Sequence, residues 1–200
     1  MATKLILLPN LFLLLLLVGC TSLTQETSIP LSEVLLIKEE VGPAFMLVEE
    51  NTGLRTTADY NLEEGEWEEF KWKEGYKITF ENQPKIDDNY AAIFNYNSRY
   101  LNQEVMFEEY QESKHSDKKF TVVNAPLIGE DSIAFFFSYE TNDSEVRQWT
   151  EVDLTFIKYD IYENIAILRP SRTMEVEETL AQAVTYAMIL ERKIDQAAER

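Results

Sequence analysis

The sequence predicts an α+β fold in a single domain: a mostly antiparallel sheet with helices packed against it. Three observations lead there. Runs of period-two alternation recur from about residue 45 to residue 168, separated by turn residues. The period changes to a helical one twice, around residues 98–114 and 174–196. The chain is 45% hydrophobic and 12% aromatic, enough to build a core without a disulfide.

The elements follow in order. Residues 20–33, "CTSLTQETSIPLSE", are polar and Thr/Ser-rich with no sustained period, and read as a tether. Residues 34–41 read as a short helix, broken by Gly42-Pro43. In "AFMLVEE", Phe45, Leu47 and Glu49 alternate with Met46 and Val48, a strand with both faces partly covered. Residues 51–66 are polar, contain Gly53 and Gly65, and read as a loop. Tyr76, Ile78 and Phe80 alternate with Lys77, Thr79 and Glu81, a half-buried strand. "PKIDDN" is a turn, and "YAAIFNYN" then places Tyr90, Ala92, Phe94 and Tyr96 on one face of a strand.

"SRYLNQEVMFEEYQESK" reads as an amphipathic helix ended by "HSDKK". Leu101, Val105 and Tyr110 lie near one face, with Met106 beside them and Glu108, Glu109 and Glu112 outside. "FTVVNAP" is a short strand. "GEDSIAFFFSYE" and "WTEVDLTFIKYD" are long ones, with Val152, Leu154 and Phe156 alternating with Asp153 and Thr155. "NIAILRP" closes a hairpin through "YEN". The last helix runs from about Met174 to Gln196, with Thr173 as cap and Glu175 and Glu177 at its positive end. Leu180, Val184, Ala187, Leu190 and Ile194 form its buried stripe.

The first residues read as an address. Residues 5–18 are apolar apart from Pro9 and Asn10, behind a single charge at Lys4. The unbroken run from Leu11 to Val18 is too short to span a bilayer, which takes about 20 residues, and it reads as a secretory signal. Leu17-Val18-Gly19-Cys20 resembles the lipobox of bacterial lipoproteins, and Cys20 is the only cysteine. The resemblance implies diacylglycerol on the Cys20 thiol, cleavage before Cys20 and a further acyl group such as palmitate on the new amino terminus. A plain signal peptide with an unrelated cysteine is the competing reading. Four fitting positions at the right distance from the start, with no other thiol, favour lipidation. The expected organisation is a signal peptide over 1–19, a lipidated tether over 20–33 and the domain over 34–200. Thr21, in place of the aspartate that resembles a retention signal, points to the outer membrane in a cell with two membranes. In a cell with one, the protein faces outward from the cytoplasmic membrane.

Lys and Arg number 18 against 36 Asp and Glu, a net charge of −18. That argues against nucleic acid, whose affinity comes largely from cations on phosphates. It also argues against the domain itself lying on an anionic bilayer. His115 is the only histidine, which excludes metal sites built on paired histidines. A Ser-His-Asp triad would need His115, which sits among Lys114, Ser116, Asp117 and Lys118 and reads as a solvated loop histidine. Six unclustered glycines make no phosphate loop. No cofactor and no metal is expected. Glu63, Glu64, Glu66, Glu68 and Glu69, and the "IDDN" at 86–89, lack the spaced ligands and turn glycine of a calcium loop and read as solvated charge. Trp67, Trp72, Tyr90, Tyr96 and Tyr100 could line a groove for sugar or peptide, against a packing role for most of them. Trp67 with Trp72 is the expected partner surface, because acids flank Trp67 on both sides.

A second resemblance rests on "YAAIFNYNSRYLNQEVMFEEYQ", "PLIGEDSIAFFF" and "ETLAQAVTYAMILERKI". Their order is similar to that of the LpqN-like lipoproteins, in which a strand and helix precede an acidic strand start, a hairpin and a closing helix. Over residues 34–196 it implies an α/β/α sandwich like PsbP and Mog1, and a binding or accessory role at the membrane. The hairpin departs from that pattern in having "YEN" without glycine. The expected function is therefore a lipid-anchored, extracytoplasmic, non-enzymatic binding or accessory protein of the cell envelope. Its partners would be the membrane, through Cys20, and envelope proteins or glycans. The alternative is a surface glycan hydrolase working through carboxylates, which would need two acids at catalytic separation in a cleft.

Overall fold

The structure, a computed structural model, describes residues 27–56, 72–82, 90–100, 106, 121–142 and 146–200. Its strands are β1 (Phe45–Leu47), β2 (Gly53–Leu54), β3 (Trp72–Asn82), β4 (Ala92–Tyr100), β5 (Thr121–Val123), β6 (Asp131–Asn142), β7 (Val146–Lys158) and β8 (Ile161–Pro170). They form one 8-stranded sheet in the order β1-β3-β4-β8-β7-β6-β5, with β2 also on β3. Every described pairing is antiparallel. A short helix α1 (Lys38–Val41) precedes the sheet and a long one, α2 (Val176–Ala198), follows it.

Alternation gives the sheet two faces. One carries Phe80, Ile93, Ile161, Ile165, Leu154 and Phe156 against Ala183, Tyr186, Ala187, Leu190 and Ile194 of α2. Most of these are fully buried, and each large one contributes about 1.5–3 kcal/mol. The expected α2 stripe is correct at Ala187, Leu190 and Ile194, while Leu180 and Val184 lie at its half-buried margin. The far face carries a second, smaller cluster of Tyr100, Met106 and Ile157, with Trp72, Ile133 and Tyr162 against it.

Several boundaries differ from the expectation. Residues 27–33 are not tether: Ile29 is 3% exposed and Leu31 1%. With Val34 and Leu36 they form a strap that joins the core on the α2 face. The strap's apolar residues are spaced for neither helix nor strand, so no period reveals it. The helix expected over 34–41 shrinks to α1, because Leu36 N–H donates to Asn95 Oδ1 at 2.9 Å instead of entering a helix, and Ile37 is extended. Ser98, Arg99 and Tyr100 continue β4 and do not begin the next helix, since Ser98 still pairs with Gly75 and Tyr162. Met106 is helical and buried. The rest of that expected helix, the loop beyond residue 56, "PKIDDN" and His115 lie outside the described residues.

The β7–β8 turn is Tyr159-Asp160, not "YEN": Lys158 pairs with Ile161, and Tyr162 to Asn164 lie within β8. Tyr159 sits at φ 55, an uncommon conformation for a bulky residue. It is held there by its N–H to Glu130 Oε1 at 3.0 Å and its hydroxyl to Asp195 Oδ1 at 3.1 Å. Thr173 does not cap α2. Its hydroxyl donates to Pro170 O at 3.1 Å, Glu175 takes the cap position, and Glu177 and Glu178 occupy the first turn.

Candidate functional site

Two groups of buried polar side chains stand out, one on each sheet face. On the α2 face, β4 points Asn95, Asn97 and Arg99 inward at 0%, 0% and 5% exposure. The strap explains them, because its backbone has no strand to pair with. Asn97 Nδ2 donates to Leu31 O at 2.8 Å and Arg99 Nη2 to Ile29 O at 2.9 Å. From α2, Lys193 Nζ donates to Leu35 O at 2.6 Å and meets Glu40 at 2.9 Å. Arg99 is paired with Glu74 and, at 2.6 Å, with Asp160, which also accepts from the Thr27 hydroxyl at 2.5 Å. These groups satisfy one another, as buried charges must. A cleft of about 400 Å³ opens beside them, lined by Thr27, Pro30, Lys73, Glu74 and Arg99.

Glu163 is the exception within this ladder. It is fully buried, accepts from Asn95 Nδ2 at 2.9 Å through Oε2, and has no hydrogen bond at Oε1. Burial holds its carboxyl well above the ordinary range, against the opposing effects of Asn95, Asn97 and the Lys193 charge.

On the far face, Glu151 and Asp153 of β7 are hydrogen-bonded to each other. Burial raises both. Asp153 goes well up, helped by the Glu151 charge and by donating to it, while the same bond pulls Glu151 back down. Both shifts favour the protonated form of the pair. Asp153 Oδ1 is enclosed and makes no hydrogen bond. No lysine, arginine or histidine pairs with either acid among the described residues.

The register shows what surrounds them. Asp153 lies opposite Phe135 on β6 and Ala166 on β8, and Glu151 lies opposite Phe137 and Leu168. Phe94 follows beyond Ala166. Phe135 and Phe137 have centroids 6.3 Å apart, and Phe94 stacks on Tyr96 at 6.1 Å. The Arg55 guanidinium rests over the Tyr96 ring at 5.1 Å.

Of the residues singled out from sequence, Trp72 is half-buried and packs beside Tyr100 and Ile157. Tyr100 meets Tyr162 edge to face at 6.2 Å. Tyr90 donates to Glu81 at 3.0 Å and meets Trp149 edge-on at 5.3 Å. Cys20, Trp67 and the acids at 63–69 and 86–89 lie outside the described residues. Glu151, Asp153 and Glu163 are not discernible from sequence. Asp153 reads as the polar partner in an alternating strand, and only the strand order places it centrally.

No family model matches this chain, and neither does any curated protein. Among solved structures it is similar to the extracellular domain of PknH from Mycobacterium tuberculosis, with a TM-score of 0.54 at 11% identity. The likeness covers 83% of this chain and 95% of that one, and at that identity it is a likeness of fold. No described helix is long and apolar enough to cross a membrane.

Proposed function

We propose that this chain is a lipid-anchored, extracytoplasmic binding or accessory protein of the cell envelope, fixed through Cys20, with a PsbP/Mog1-like sandwich as its scaffold. The observation that carries the reading is the lipobox-like stretch ending at Cys20, ahead of a domain that is similar in fold to an extracellular one. The anchor rests on Leu17-Val18-Gly19-Cys20 and on the absence of any other cysteine.

The test is the intact mass of membrane-extracted protein beside a Cys20→Ser variant. A chain beginning at Cys20 with added acyl mass, absent in the variant, is the expected result. An unmodified chain released to the medium overturns the anchor.

A further inference from the structure

We propose that a cleft at one end of the sheet binds a small monocarboxylate with an apolar body, its carboxylate seated on Arg169. This rests on the binding reading above and names the ligand's chemistry. The cleft holds about 380 Å³, at the small end of ligand pockets. It lies on the α2 face, along one row across the sheet. Phe45 of β1 pairs with Asn82 of β3, and Asn82 N–H donates to Ala91 O at 3.0 Å. Ala91 and Arg169 stand one step beyond the Ala92–Leu168 pair of β4 and β8. The short Ala91 side chain leaves room in that row, and Ala44 and Thr173, both exposed, line the mouth.

Arg169 is the unusual member of this lining. Acids outnumber Lys and Arg by 36 to 18, and Arg99 on the same sheet face is paired with both Glu74 and Asp160. Among the described residues no acid pairs with Arg169. The one hydrogen bond its side chain makes there runs from Nη2 to Gln182 Oε1 at 3.0 Å. Gln182 Nε2 in turn donates to the Tyr186 hydroxyl at 2.8 Å, so the guanidinium is held in place from α2 before a ligand arrives. Nε is enclosed without a hydrogen bond. A half-buried cation left in this state is costly, and an anion offsets the cost. A carboxylate matches the guanidinium fork with two parallel hydrogen bonds. Ala44, Phe45 and Ala91 offer apolar surface to the rest of the ligand. A net charge of −18 opposes each further negative charge, which favours a monocarboxylate over a phosphate.

The experiment is a saturation-transfer NMR titration of detergent-solubilised full-length protein with phenylacetate. Phenylacetamide keeps the shape and removes the charge. Inorganic phosphate, added as a competitor, supplies charge without the apolar body. The expected result is saturable phenylacetate binding, with roughly tenfold or greater loss for the amide and again in Arg169→Gln. Arg169→Lys keeps the charge without the fork and should lose less than Arg169→Gln. A control, Arg200→Gln beyond the far end of α2, removes the same charge and should bind as the parent does. All are read in one detergent, so partition into micelles cancels. The amide comparison uses the parent protein and does not depend on how a variant folds. Absent binding, equal affinity for the amide, parental affinity in Arg169→Gln, equal loss in Arg200→Gln, or displacement by an equal concentration of phosphate overturns the proposal. Such a failure with acyl mass intact on Cys20 leaves the anchored-protein reading standing. Binding by an unlipidated chain removes the anchor alone.

Discussion

Glu163→Gln should make the protein less sensitive to pH, and the size of the effect follows from burial. Glu163 is 0% exposed and its carboxyl is held well above the ordinary value of 4.5, chiefly by burial. In the unfolded chain it ionises near that ordinary value. Between the two values the native state keeps a proton that the unfolded state has lost. Unfolding free energy therefore falls as pH rises, by about 1.4 kcal/mol per pH unit for one group. The stabilisation is complete below the unfolded value and is lost as pH climbs to the native one. Asp153, also raised well above its ordinary value, adds a second contribution of the same sign. Glutamine at 163 keeps an acceptor for Asn95 and removes the titration. The variant and the parent should match near pH 4. The variant should then gain by about 1.4 kcal/mol per unit until the native value is passed. Urea unfolding at intervals from about pH 4 to about pH 8 reads this directly. Parallel curves would refute the reasoning. A variant that loses ground as pH rises would show Glu163 ionised and held by Lys193.

Two further outcomes test the packing. Leu31→Ala, at a buried strap position inside the stretch expected to be tether, should cost about 2–5 kcal/mol by urea unfolding, whereas a solvated tether would lose less than about 0.5 kcal/mol. Gly129→Ala should cost on the order of 2–3 kcal/mol in the same assay. Gly129 lies at φ 64, and a Cβ there would come within 2.2 Å of Ile157 O.

Periodic elements were legible because their signal is local. Tyr76, Ile78 and Phe80 repeat every second residue and belong to β3. Ala187, Leu190 and Ile194 repeat at helical spacing and belong to α2. The strap was not legible, because Ile29, Leu31, Val34 and Leu36 have no regular period. Their burial depends on a sheet surface made by residues about 60 positions later, as the bond from Leu36 to Asn95 shows.

The candidate site was hidden for a related reason. In a strand read alone, a polar residue between apolar ones is assigned to water. Asn95 and Asp153 fit that pattern, and Asn97 and Glu163 each stand beside another polar residue, which reads even more as solvated. Yet β4, β8 and β7 lie next to one another inside the sheet, and both of its faces carry packed side chains.

By itself the sequence determined the α+β class, the closing helix, the strong acidity and the lipobox-like stretch at Cys20. Each of these is set by composition or by neighbours a few residues away. Tertiary structure alone decided that the strap is core, that the hairpin turns at Tyr159-Asp160, and that Glu163 and Asp153 are buried. Those outcomes depend on which strands become neighbours, and burial of a polar group is a property of that assembly.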